Sequence, residues 1–233
     1  KGTENLGIVP VENMIDGSVG ETLDLLYSDD VYIVDEVVVP IHLCLASNQQ
    51  DKDNVDKVLS HPKALGQARE FIRENKYEEE KTGSTAKAMK IVANKNDKNL
   101  AAIGPKLAAE KYGLEIIREA VEDKGNNVTR FFVLSREENK IDKKSEKYKT
   151  SIAIHPGEDR PGLLYDLLGS FRKRDINLTK IESRPTKLNL GDYIFYIDFE
   201  GHENQEKVQE TLKEISEVSE VKVFGSYPSQ YGL

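Results

Sequence analysis

Hydroxyl side chains stand at three positions where the spacing predicts a helix to begin: Ser18, Ser60 and the pair Ser84-Thr85. A helix N-terminus offers unsatisfied backbone N–H groups and the positive end of its dipole, and so holds a carboxylate without net positive charge. The plainer reading is that each serine only caps its helix, an effect of about 1 kcal/mol. Both readings stay open. Arg130 lies in the strand-like run Asn127-Val128-Thr129-Arg130-Phe131. A guanidinium there either clamps a carboxylate in two parallel hydrogen bonds or forms a structural ion pair, with Glu12 or Asp123 as partners. Side chains alternate along a strand, so Thr129 and Phe131 face one way and Arg130 the other. His61 is read as orienting its loop, and Phe131 as cleft wall or core.

Charge limits what such groups can bind. The formal net charge of −8 over 233 residues repels nucleic acid and anionic lipid as a whole, so an anionic ligand must be held by local groups. Four scattered histidines and one cysteine have no zinc-type spacing, and no metal site is expected. Neither a glycine-rich dinucleotide fingerprint nor a phosphate loop occurs, and no cofactor is expected. Cys44, alone in Ile41-His42-Leu43-Cys44-Leu45, reads as a small core residue in a reducing compartment, which makes the cytoplasm the default. No apolar run reaches the length of a membrane span.

Alternating elements must position these residues. Leu6 to Asn13 reads as a buried strand ending at a polar loop, and Ser18 with Glu21 has the capping-box spacing of a helix start. Val31 to Ala46 is β-branched and interrupted by Pro40, which predicts one or two strands. A helix starts near Ser60-His61-Pro62 with Leu65, Ala68 and Phe71 as its buried stripe, and another at Ser84-Thr85-Ala86. Ala101 to Gly104 is a short strand, Pro105 opens a helix that Gly113 closes, and Val128 to Leu134 is again strand-like. This alternation implies an α/β domain with a mainly parallel sheet.

Arg136 to Lys149 is almost wholly polar and reads as a linker. Beyond it the order is strand (Ile152, Ile154), helix (Leu163 to Phe171), strand (Ile176 to Pro185), strand (Tyr193 to Phe199), helix (Val208, Leu212, Ile215) and strand (Val221 to Phe224). That is βαββαβ, a ferredoxin-like sandwich of about eighty residues whose helices cover one sheet face. A partner covering an edge or the other face makes dimerisation the expectation. The expected boundaries are a catalytic domain over 1–136, a linker over 137–149, a second domain over 150–228 and a tail over 229–233.

Seven short motifs then occur in order: Val9-Pro10-Val11-Glu12-Asn13 with Gly17-Ser18-Val19; Ser60-His61-Pro62-Lys63-Ala64-Leu65; Ser84-Thr85-Ala86; Asn127-Val128-Thr129-Arg130-Phe131 behind Glu122-Asp123; Pro161-Gly162-Leu163-Leu164-Tyr165; Glu182-Ser183-Arg184-Pro185; and Gly225-Ser226-Tyr227-Pro228. In this order they resemble the single-activity prephenate dehydratases that carry a C-terminal ACT domain. The resemblance covers nearly the whole chain. It departs at Met14, where the family usually has serine, and the family normally begins several dozen residues earlier.

The resemblance implies a two-lobed catalytic domain hinged like a periplasmic binding protein, with an ACT domain behind it. It implies conversion of prephenate to phenylpyruvate, carbon dioxide and water, with L-phenylalanine as feedback effector. It makes Thr129 the leading catalytic residue, donating a hydrogen bond to the departing oxygen, with Arg130 and Phe131 beside it. Glu12, Asn13, Gly17, Ser18, His61, Ser84, Thr85 and Asn127 are the implied substrate-binding set. In the ACT half, Gly162, Leu163, Leu164, Asn177, Leu178, Glu182, Ser183 and Arg184 are implied for phenylalanine, the last three alternatively for locking the dimer, and a homodimer or homotetramer is implied. Arogenate dehydratases share these motifs, and a non-catalytic phenylalanine sensor is a further alternative.

Overall fold

The computed structural model describes residues 6–49, 54–137, 147–157, 160–186 and 191–230. It divides into two units, one formed by residues 1–39 with 129–233 and the other by 40–128.

The first unit opens with β1 (Leu6–Asn13), β2 (Gly17–Ser18), α1 (Gly20–Ser28) and β3 (Tyr32–Pro40). β1 and β2 form a tight antiparallel hairpin, Asn13 opposite Gly17 and Glu12 opposite Ser18. Gly17 has φ +80, the left-handed backbone that this turn needs and that glycine adopts without a Cβ penalty. The helix start expected at Ser18 is corrected here. Ser18 is committed to the hairpin, α1 begins at Gly20, and its cap residue Val19 gives no side-chain bond. α1 buries Leu23 and Leu26, as its apolar spacing requires.

The second unit contains β4 (Cys44–Ser47), β5 (Lys57–Ser60), α2 (Pro62–Gln67), α3 (Arg69–Asn75), β6 (Glu78–Lys81), α4 (Thr85–Lys95), β7 (Leu100–Gly104), α5 (Lys106–Lys111) and β8 (Glu115–Arg118). Its sheet has the order β6-β5-β7-β4-β8. β6, β5 and β7 are parallel neighbours, but β4 runs against both β7 and β8, so the sheet is mixed rather than mainly parallel. Helices account for the parallel strands; β4, the first strand of the unit, has no helix before it there to return it to the common end. Period-two alternation fills both faces. Leu43, Leu45, Val58 and Ile103 pack with Leu65, Ala68 and Ile72 on one side. Cys44, Ala46, Leu59 and Ala102 pack with Met89 and Val92 on the other. The single helix expected after Pro62 is two, broken where Ala68 leaves helical geometry at φ −117.

β9 (Val128–Ser135) returns the chain to the first unit and pairs antiparallel with β1, placing Thr129 opposite Asn13 and Arg130 opposite Glu12. The sheet order is β2-β1-β9-β3. Then come β10 (Tyr148–Pro156), α6 (Leu163–Lys173), β11 (Leu178–Pro185), β12 (Tyr193–Glu200), α7 (Glu206–Ser216) and β13 (Ser219–Pro228), a β-α-β-β-α-β run. Its antiparallel sheet has the order β11-β12-β10-β13. β10 begins inside the stretch expected to be linker. Lys149 is buried there, its ammonium 3.1 Å from Glu36 Oε1, so a charged residue that reads as solvated is paired inside. The middle of that linker, 138–146, lies outside the described residues.

One face of this second sheet packs Ile152, Ile154, Ile197 and Phe199 under the helices, against Leu163, Leu167, Phe171, Val208 and Ile215. The opposite face, one of the two places where a partner subunit was expected, is covered from within the chain. Ala153, Ile194, Tyr196, Phe224 and Tyr227 share a core with Val11, Leu23, Leu26, Ile33 and Phe132. Gly225 lets the backbones close. Its φ is +138, and a Cβ there would lie 2.5 Å from the carbonyl oxygen of Ile33.

Candidate functional site

The hairpin and β9 bring Asn13 and Thr129 together. Asn13 Oδ1 accepts from the backbone N–H groups of Ile15 and Asp16 at 3.0 and 2.9 Å, which fixes the amide so that Nδ2 donates to Thr129 Oγ1 at 2.9 Å. The threonine oxygen is therefore an acceptor within the protein, and its own proton is left to donate. Phe131, two residues on, is half-buried, whereas Arg130 and Phe132 are buried on the other face, as the strand alternation predicts.

Arg130 takes the ion-pair alternative; of the expected partners Glu12 is present at longer range, and Glu36 and Asp198 are the close ones. Arg130 is 4% exposed. Nε donates to Glu36 at 2.6 Å, one Nη to Asp198 at 2.6 Å and the other to the Tyr227 hydroxyl at 2.9 Å. Glu12 lies farther out, 3.8 Å from the guanidinium. Burial works against the Arg130 charge, but Asp198, Tyr227 and Glu36 hold its pKa above the ordinary value. Burial and then Asp198 push the Tyr227 phenol well above its usual range. Ser151 bonds both Asp198 and Tyr227.

Beside this core, Lys180 of β11 reaches the hairpin. Its ammonium donates to Ser18 Oγ at 2.8 Å and lies 3.7 Å from Glu12 and 3.4 Å from Glu182. Arg184 makes a bidentate pair with Asp24 of α1, at 2.8 and 3.0 Å, in space left open by Gly20. Met14 is 61% exposed in the turn.

In the second unit, β5, β6 and β7 lead into α2, α4 and α5, so three helix starts follow the ends of parallel strands, where open α/β sheets hold ligands. Ser84 caps the 11-residue α4, accepting from Lys87 N at 3.0 Å, and Thr85 is its first residue. Ser60 is a buried strand residue, not a cap, and donates to the Ile103 carbonyl. The cap of α2 is His61, whose Nδ1 accepts from Lys63 N at 3.2 Å, in keeping with an orienting role. Asn127 is buried and donates to Gln67 at 3.3 Å.

In the third group, Gly162 caps α6 with φ +85; Leu163 is buried and Leu164 is at the surface. A cavity of about 230 Å³ is lined by Pro156, Gly157, Leu163, Gly191, Asp192, Tyr193 and Phe195. His155 at 2.8 Å and Thr186 at 2.9 Å hold the Asp192 carboxylate below its ordinary pKa. The remaining residues expected here lie elsewhere. Asn177 and Leu178 do not line the cavity, Ser183 is exposed, and Glu182 and Arg184 meet Lys180 and Asp24.

Glu36, Asp198, Lys180 and Tyr227 were missed from the sequence, although a signal was present for the two carboxylates. Glu36 sits between Ile33-Val34 and Val37-Val38-Val39, and Asp198 between Ile197 and Phe199. A carboxylate inside an apolar strand needs a buried partner.

A family model described as prephenate dehydratase matches residues 1–139, and one described as ACT domain matches residues 157–217. A prephenate dehydratase of Methanocaldococcus jannaschii is 47% identical over 204 residues, covering 87% of this chain and 73% of its own. A bifunctional chorismate mutase/prephenate dehydratase of Aquifex aeolicus is 43% identical over 95% of this chain; this chain spans only 60% of that one. Among solved structures, a prephenate dehydratase from Arthrobacter aurescens in complex with L-Phe superposes with a TM-score of 0.87 at 31% identity, covering 98% of this chain and 78% of that one. A structure described as GqqA, a novel type of quorum quenching acylase, gives 0.88 at 29% identity, with coverages of 97% and 82%.

Proposed function

Because the chain belongs to the prephenate dehydratase family and carries an ACT domain, we propose that it converts prephenate to phenylpyruvate, carbon dioxide and water under the control of L-phenylalanine. The observation that carries the mechanism is the Asn13–Thr129 hydrogen bond, because its direction leaves the threonine proton to donate. In the reaction the carboxylate at the ring carbon leaves as carbon dioxide. The electron pair of the broken C–C bond enters the ring, which becomes aromatic and expels the 4-hydroxyl; with a proton that oxygen departs as water. Thr129 donates to it as negative charge develops, a preorganised contact of the kind that stabilises a transition state by about 3 kcal/mol. A threonine hydroxyl is too weak an acid to be the final proton source, so the proton that completes the departing water comes from solvent.

Arg130 enters as a positioning residue rather than a carboxylate clamp. Ser84 and Thr85, at the start of the 11-residue α4, are proposed to hold a substrate carboxylate. Glu12, Asn13, Gly17, Ser18, His61 and Asn127 are the further residues proposed for substrate, with Phe131 beside Thr129. The two chain crossings between the units, at residues 39–40 and 128–129, support a two-lobed catalytic part of the periplasmic-binding-protein kind. The ACT part is proposed to be ferredoxin-like, with phenylalanine in the cavity beside Gly162 and Leu163 and its ring on Tyr193 and Phe195. A homodimer or homotetramer and a cytoplasmic location remain part of this reading.

The test is phenylpyruvate formation from prephenate by the purified chain, with arogenate in parallel and phenylalanine added to each. Turnover of prephenate that phenylalanine changes is the expected result. Turnover of arogenate alone would reassign the substrate, and turnover of neither would overturn the enzymatic reading. The acylase name belongs to the other structure, and nothing at Thr129 favours it here.

A further inference from the structure

The regulatory sheet supplies two of the three side chains that bond the guanidinium next to Thr129. Glu36 comes from β3, but Asp198 lies on β12 and Tyr227 on β13. All of them are buried, Glu36 and Tyr227 completely and Asp198 at 5% exposure. Four charged side chains close the cluster: Arg130 and Lys149 against Glu36 and Asp198. Buried charges tolerate little displacement, because each loses a solvated alternative. The Arg130 side chain is thus held from two strands of the second sheet, and its backbone sits between Thr129 and Phe131 in β9.

From this arrangement we infer that Asp198, a residue of the ACT domain, is a positioning residue for the dehydration, acting through Arg130 to set where Thr129 presents its hydroxyl. The inference rests on the functional reading above and deepens it. With the Asp198 charge removed, Arg130 keeps Glu36 and the Tyr227 hydroxyl but loses its charged partner on the second sheet, and the Thr129 segment of β9 loosens against Asn13. Substrate need not touch Asp198. Its removal therefore lowers turnover while leaving ground-state binding largely intact.

The experiment compares Asp198→Asn, Thr129→Ala and the double variant in the full chain, well below the unfolding temperature. Asp198→Asn is expected to reduce kcat by about tenfold or more, with KM changed by less than about threefold. In the Thr129→Ala background the same change should have almost no further effect on kcat, because both act on one hydroxyl. Independent, multiplying effects would overturn the inference, as would normal kcat in folded Asp198→Asn. Tyr227→Phe serves if Asp198→Asn does not fold. It removes only the hydroxyl that meets Arg130, and a loss of turnover that again disappears in the Thr129→Ala background is expected. Hydrogen exchange gives a readout free of activity: the backbone around Thr129 should exchange faster in Asp198→Asn, with β4 to β8 unchanged. A parent without dehydratase turnover would sink the functional reading alone. Unchanged exchange around Thr129 would then sink the positioning claim on its own.

Discussion

Asn13 has a carbonyl end and an amino end, and the hairpin turn takes the first. What reaches Thr129 is consequently a donor, which turns the threonine proton outward. Replacing that amide by a carboxylate reverses the bond, since an ionised aspartate accepts only. Asn13→Asp is expected to cost about as much turnover as Thr129→Ala, roughly tenfold or more, with little change in thermal stability. Steady-state kinetics beside a melting curve check this; an aspartate variant as fast as the parent refutes the assigned direction. At this scale the sequence was half legible. Ser84 stands out by type and place, Thr129 and Asn13 only through the family resemblance, and the spacing of strand residues already sets Arg130 apart from Thr129. What Arg130 meets was hidden, because Asp198 lies 68 residues further along the chain and only the packing of two sheets unites them.

Among the elements, β13 shows how a short motif acts through its backbone. Gly225 has a left-handed φ and faces the Ile33 carbonyl at a distance no Cβ tolerates. Gly225→Ala should destabilise the chain by about 1–3 kcal/mol from backbone strain alone, and by more if β3 cannot move. Urea unfolding measures it, and a change below about 0.5 kcal/mol would refute the close approach. The helices α6 and α7 are tied by Glu214, which accepts from Lys173 at 2.6 Å, Arg174 at 2.7 Å and Ser170 at 3.1 Å. These bonds, Lys173 first, depress its carboxyl from 4.5 to about 2. A depressed carboxyl stabilises the fold above its unfolded pKa and loses that contribution as pH falls. Acidification from 4.5 towards 2 should therefore lower the melting temperature of the parent more than that of Glu214→Gln; parallel curves would refute the tie. Most elements follow from apolar spacing, whereas β6 does not. Its four residues, Glu78 to Lys81, are all exposed, and only pairing with β5 makes them a strand.

For the molecule as a whole, the charged run before β10 suggested a self-contained second half. The shared core of Ala153, Ile194, Tyr196, Phe224 and Tyr227 with Val11, Leu23, Leu26, Ile33 and Phe132 says otherwise. Cutting the chain there uncovers an apolar sheet face and strands Asp198 without Arg130. The segment Thr150 to Leu233 alone is expected to bind a hydrophobic dye, where the full chain does not. Dye fluorescence decides, and a dye-silent segment would contradict the shared core. Phenylalanine binding is accordingly best measured on the full chain, where Gly162→Val should abolish it, because a β-branched residue does not take φ +85. The sequence shows both domains, but not that they share a core, because the alternation in β12 looks the same whether its second face meets water, a subunit or α1.

The close seating of Gly225 on Ile33 bears on how such a protein can be taken apart and recombined. A chimera that joins this catalytic half to a foreign regulatory module inherits a socket as well as a tether: an Ile33 backbone that admits only a glycine, an arginine awaiting its acid and a glycine floor at Gly20 made for a guanidinium. Grafts chosen by linker length alone should misassemble. Those that carry the matching glycine, aspartate and arginine have the geometry to couple, so modularity here lies at the level of the seam rather than the domain.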